Sequence, residues 1–197
     1  MQMFVTMNSL LLSYPPPGRK AYVCEHVDEN ISNGKYYQES LIQEQWPLFL
    51  PALVATIEET EPHIRERGLQ LLHTFLLKCT ANTLSSTGIG RLFERLVFPI
   101  TQYLPSLTPE HKSARLLRAA YQVLLQLARA DPEPQSPARR RLLDKLMRDG
   151  IIASYFHASQ YAIVTEILMH NAAEIVSLLG VLCVTHLRVR IACGSIG

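Results

Sequence analysis

Between Trp46 and Cys79 the chain carries two apolar stripes of helical period separated by an acidic, proline-bearing break, a pattern that a pair of antiparallel helices satisfies. Ile42, Trp46, Phe49, Leu50, Leu53, Val54 and Ile57 mark one face of the first helix. Ile64, Leu71, Leu72, Phe75, Leu76 and Cys79 mark one face of the second. Glu58-Glu59-Thr60-Glu61-Pro62 interrupts the two, and Pro62 suits the first turn of a helix, where its missing N–H costs nothing. Gly68 falls on the second stripe, where a larger residue would favour the helix by roughly 0.5–1 kcal/mol. That cost makes sense where the partner helix passes close.

The same grammar repeats downstream. A polar loop is expected from Thr80 to Thr87, and Gly88-Ile89-Gly90 then opens a third helix traced by Ile89, Leu92, Phe93, Leu96, Val97, Ile100 and Leu104, with Pro99 inside it. Thr108 as N-cap, Pro109 at the first helical position and Glu110 at the positive end of the dipole predict the start of a fourth. Its inward face runs through Leu117, Ala120, Tyr121, Leu124 and Leu127 to Ala128, and Asp131 to Pro137 is a rigid linker. Ser136 caps and Pro137 opens a fifth helix, with Leu142, Leu143, Leu146 and Met147 facing in, Arg139, Arg140, Arg141 and Arg148 facing out, and Gly150 as its C-terminal cap. From Ser159 to Leu187, Val164, Leu168, Ile175, Val176 and Leu179 predict one long or broken helix. The offset from Pro51 to Pro99, each late in the first helix of a pair, is close to the roughly 40–47 residues of HEAT or armadillo units.

Composition supports a packed chain and narrows its chemistry. Its 197 residues are 48% hydrophobic and 18% charged, with a formal net charge of +2, too small to argue for a polyanionic partner from the balance alone. Strands have little to work with, since Asn33-Gly34 is flanked by polar residues. Cys24, Cys79, Cys183 and Cys193 form no CxxC pair and are expected to be reduced core or incidental thiols of an intracellular protein, with the cytosol or nucleus as the expected location. The sequon Asn30-Ile31-Ser32 is read as chance. The apolar start, Met1 to Tyr14, lacks a basic n-region and runs into Pro15-Pro16-Pro17, and no uninterrupted apolar run reaches the length of a membrane span. Residues 1–35 are expected to form a poorly structured arm, 36–188 a HEAT-like helical repeat domain whose first helix begins near Lys35 to Ser40, and 189–197 an irregular tail.

Ile64-Arg65 followed by Gly68 and Leu71-Leu72 resembles the turn and second helix of a HEAT repeat, in which a small residue follows a Val-Arg pair at this offset. The expected fold is therefore all-α, a solenoid of HEAT-like hairpins in which each pair contacts its neighbours. A wider resemblance runs from Tyr36 to Arg188. It is carried by Trp46-Pro47-Leu48-Phe49-Leu50-Pro51, Arg67 to Leu72, Thr87-Gly88-Ile89 leading into Val97-Phe98-Pro99, Tyr103 to Glu110, Leu116 to Tyr121, Leu143-Asp144-Lys145, Arg148 to Ile151, and His157-Ala158. In that order these stretches resemble the fungal members of the family of the second Tel-two-interacting protein, a HEAT-repeat subunit of the TTT complex.

The resemblance implies a non-catalytic scaffold that uses no cofactor and takes no small-molecule substrate. It implies as partners the other TTT subunits, the Hsp-ninety chaperone with its R2TP co-chaperone, and the PIKK kinases whose folding, assembly and stability that machinery supports. Members of that family continue with further repeats. Val189 to Gly197, with no helical periodicity, is therefore expected to be foreign to the domain, for example translated intron, and a stack cut there is expected to self-associate or be unstable in isolation.

Phe93 stands where the third glycine of a GxGxxG belongs, so Gly88-Ile89-Gly90 is read as a helix start. Cys193 to Gly197 departs from GxSxG at its first position. His170 and Glu174 share a helical face, but two ligands fall short of a zinc site, so they are read as a solvated i, i+4 pair. His73 and His157 are read as packed or half-exposed side chains. Trp46, Phe49, Phe75 and Phe93 keep helical spacing and are read as core. Arg139-Arg140-Arg141 with Lys145 and Arg148, diluted by Asp144 and Asp149, is read as a solvated face. An acidic groove on a partner protein is the next reading for that cluster. A nucleic-acid-associated helical-repeat protein is the alternative function, although nucleic acid would want more basic residues and stacking aromatics. No partner-binding residue stands out, and no catalytic or metal-binding set is proposed.

Overall fold

The computed structural model of the chain describes residues 46–48, 50–106 and 108–180. The proposed arm (1–35), the helix start near Lys35 to Ser40, Ile42, Phe49, the stretch from 181 to 188, Cys24, Cys183, Cys193 and the tail (189–197) lie outside the described residues.

Among those residues there is no strand, and the helices are α1 (50–58, with 46–48 also helical), α2 (Pro62–Lys78), α3 (Ala81–Thr87), α4 (Ile89–Val97), α5 (Glu110–Ala130), α6 (Pro137–Lys145), α7 (Ala153–Ala158) and α8 (Ala162–Leu179). A 3-10 turn, Phe98–Gln102, extends α4, and a π turn, Leu146–Ile152, joins α6 to α7. They assemble into three helical pairs: α1 with α2, α4 and its 3-10 extension with α5, and the α6–π–α7 rod with α8. Two layers result. In one, α2 packs along α5 and α5 along α8; in the other, the 3-10 turn meets the π turn. The chain is an all-α solenoid of HEAT-like hairpins.

Several of these ends have a chemical cause. Pro62 opens α2 at its first turn, and Gly88 (φ 69°) supplies the left-handed residue that separates α3 from α4. Pro99 lacks the N–H that would extend α4, so the helix tightens into the 3-10 turn. The Ser136 hydroxyl accepts from Arg139 N–H at 3.1 Å and Pro137 follows it, as the sequence predicts.

Several boundaries differ from expectation. Thr80 to Thr87 is not a loop: the Thr80 hydroxyl caps the Thr83 N–H at 3.2 Å and buried Leu84 anchors a helix of seven residues. Helix α5 begins at Glu110, with the Pro109 carbonyl accepting the first bonds, so Thr108 does not cap it. Gly150 does not end a helix either; it sits buried inside the π turn beneath Tyr121, and the rod continues to Ala158. The last helix runs Ala162–Leu179 and stops before Gly180, and the rest of the expected span lies outside the described residues. Although polar residues interrupt it, α8 averages a hydropathy of 1.4 over 18 residues, so by length and composition it is long and apolar enough to cross a membrane. In this fold it packs along α5.

One continuous core runs through all three pairs. Helix α5 is its axis, buried not only at Leu117, Ala120, Tyr121, Leu124 and Ala128 but also at Leu116, Val123 and Leu125, because α2 and α8 flank it on both sides. Leu92 and Val176, expected to face inward, are 42% exposed each. The expected close approach at Gly68 is present: a Cβ built there would stand 2.8 Å from Ile57 Cγ1 and 3.1 Å from Ile57 N and Thr56 C.

Contacts between pairs hold the stack in register. Arg65 is 8% exposed, and its guanidinium donates to the Glu58 carbonyl at 3.3 Å, satisfying an acceptor at the end of α1. The same group lies 4.7 Å over the Tyr103 ring of the second pair. Between the second and third pairs, Gln102 Nε2 donates to the Asp149 carbonyl at 2.7 Å, and Lys145 Nζ pairs with Glu94 at 3.0 Å while lying 4.0 Å over the Phe98 ring.

Candidate partner-binding groove

The layer formed by α2, α5 and α8 leaves an open groove of about 850 Å³ between the polar sides of its helices. Helical spacing places Arg118, Gln122 and Arg129 along α5 on the groove side, with His73 of α2 at one wall and Glu166, His170 and Glu174 of α8 at the other. Polar residues recur here because this side of α5 is the one strip that neither neighbour covers.

Two ion pairs tie the layer together across its surface. Arg115 of α5 grips Glu66 of α2 through both carboxylate oxygens, at 3.1 Å and 2.9 Å, and Glu66 is only 12% exposed. Arg129 of α5 pairs with Glu174 of α8. Arg118, between them in sequence, is exposed and has no ion-pair partner among the described residues.

The residues singled out in the sequence are partly gathered here. His170 and Glu174 both line the groove, but Glu174 reaches across to Arg129 instead of forming a pair confined to its own helix. The cross-helix guanidinium holds the carboxylate where both are partly shielded. His73 joins them from α2, half-buried as expected. Among the described residues no three His, Cys, Asp or Glu side chains converge as a metal site would need. His157 stands exposed on α7 and does not line the groove. Of the aromatic set, Phe93 is fully buried, Phe75 meets it edge-on at 5.9 Å, and Trp46 packs half-buried against the core. Cys79 is a half-buried free thiol, and burial pushes it up to about 11, so it stays protonated at neutral pH.

The basic cluster is not one solvated face. Arg140 hydrogen-bonds Gln135 at 3.0 Å, Lys145 pairs with Glu94, Arg148 pairs with Asp149 at 3.0 Å, and Arg141 is exposed. Arg139 instead turns inward, half-buried, because its position follows the Ser136 cap beside the end of α5. Sequence reasoning overlooked Arg118, Gln122 and Arg129. Their signal was the polar strip at helical spacing on a helix that is otherwise apolar on nearly every side.

Burial and the neighbouring Arg129 guanidinium both hold His73 below its ordinary value of 6.5. The unfolded chain therefore binds this proton first as pH falls. Neutral His73 contributes its full stability above pH 6.5, and the contribution is lost as pH falls through the lower folded value. Melting midpoints are expected to decline from about pH 7 to about pH 5, and to decline less in His73→Gln. Equal slopes for the two proteins, measured by circular dichroism in matched buffers, would contradict the assignment.

A family model described as the Tti2 family matches residues 33–192, a span that takes in every described helix. No curated protein and no solved structure matches the chain.

Proposed function

The chain belongs to the Tti2 family, and from that premise we propose that it is a non-catalytic scaffold of the TTT-complex type, acting through the surface of its helical stack. The observation that carries this reading is the span of the family match, which runs through all three helical pairs. A stack of this kind holds partners by surface complementarity along its layers, and the α2–α5–α8 groove offers a long polar strip for that purpose. Within this proposal the partners are the other TTT subunits, and the assembly serves the folding and stability of PIKK kinases together with Hsp-ninety and the R2TP co-chaperone, in the cytoplasm and nucleus.

The test is co-expression of the full chain with the other TTT subunits, followed by size-exclusion chromatography. One co-eluting complex is the expected result. Elution of this chain apart from subunits that assemble with each other would contradict the proposal.

A further inference from the structure

A second concavity, of about 570 Å³, lies between the end of α3, the start of α4, the end of α5 and the start of α6. Its carboxylates are already engaged. Glu94 is held by Lys145 at 3.0 Å, and Asp131 accepts from the Ser136 hydroxyl and from the Glu133 N–H at 3.1 Å. The hydroxyls of Ser85, Ser86 and Thr87 donate to carbonyls of their own helix.

Two cations on this lining are not engaged in that way. Arg91 is exposed, and Arg139 is half-buried with its Nε out of water and without an acceptor. Among the described residues neither forms an ion pair. A guanidinium without a carboxylate partner keeps donors for the strong charge-assisted bonds that a carboxylate brought in from outside accepts. No aromatic side chain lines the cleft, so it offers nothing on which nucleobases would stack.

We propose that this cleft binds an acidic segment of a partner protein, whose carboxylates bridge Arg91 and Arg139. The proposal rests on the scaffold reading and gives it a point of attachment distinct from the α2–α5–α8 groove.

The test titrates the full chain with a fluorescent octaglutamate peptide, with a Gly-Ser peptide of the same length, inorganic phosphate and oligothymidylate as comparisons. Saturable octaglutamate binding is expected, weakened about tenfold in Arg91→Gln and in Arg139→Gln but retained within about twofold in Arg148→Gln, whose side chain pairs with Asp149. Arg91 is exposed, so its variant is decisive even if Arg139→Gln folds poorly. Absence of saturable binding, equal affinity in Arg91→Gln, an equal loss in Arg148→Gln, or tighter arginine-dependent binding of phosphate or oligothymidylate would each overturn the proposal. Co-expression separates the two readings. A wild-type chain that binds octaglutamate through these arginines but fails to join the other subunits sinks the scaffold reading alone. A chain that joins them but shows no such binding sinks the cleft alone.

Discussion

Gly68→Leu is expected to lower the stability of the chain by roughly 3 kcal/mol, a drop of about 10 °C in melting midpoint for a protein of this size. The cause is not the helix, which leucine favours over glycine. A first side-chain carbon at position 68 already falls 2.8 Å from Ile57 Cγ1, and two of its three nearest neighbours, Ile57 N and Thr56 C at 3.1 Å, are backbone atoms. A side chain can rotate away, whereas the backbone of α1 yields only by moving the whole helix. Gly68→Ala should fall between the wild type and Gly68→Leu. Thermal melts of the three proteins check the order, and an unchanged midpoint for Gly68→Leu would mean that α1 and α2 do not approach here.

Phe93→Ala should cost about 3–5 kcal/mol, since it removes a ring with no solvent exposure from the junction of the first two pairs. Phe93 meets Phe75 edge-on, with ring centroids 5.9 Å apart at an interplanar angle of 77°, a geometry worth roughly 0.5–1.5 kcal/mol beyond the buried area. In a solenoid the stability lies in the interfaces as much as in the repeats, so a void at this junction should also uncouple the first pair from the other two. A broadened or two-step denaturant transition is the expected signature. Phe93→Leu, which keeps most of the volume, should stay near 1 kcal/mol and retain one transition. A Phe93→Ala protein as stable as the wild type would place the ring outside the core.

The architecture was legible because a helix that buries one face writes that face into the sequence every three or four residues. That is why the Trp46 to Cys79 pair, the Gly68 contact and the Ser136-Pro137 start could be placed without coordinates. What escaped was decided by competition between local and tertiary forces. Thr80 to Thr87 reads as a loop by composition, yet the Thr80 hydroxyl capping the Thr83 N–H and one buried leucine suffice to fold it. Gly150 has the chemistry of a cap, but Tyr121 packing above it and the π turn around it carry the rod onward.

The surfaces were far less legible. Glu174 reads as the partner of His170 because a sequence displays only neighbours along one helix, whereas its actual partner, Arg129, comes from another helix. Arg139 lay inside a run of arginines that reads as uniformly solvated, and only the fold turns it inward while its neighbours stay out. Charge that matters to a scaffold is set by which helices lie side by side, and that information resides in the stack.

Hydrogen–deuterium exchange on the co-expressed complex, compared with the chain alone, tests the scaffold reading most directly. Assembly is expected to slow exchange along α5 and α8, the helices that wall the groove, and to leave the π turn between α6 and α7 unchanged. A complex whose formation leaves α5 and α8 exchanging as they do in the free chain would contradict it.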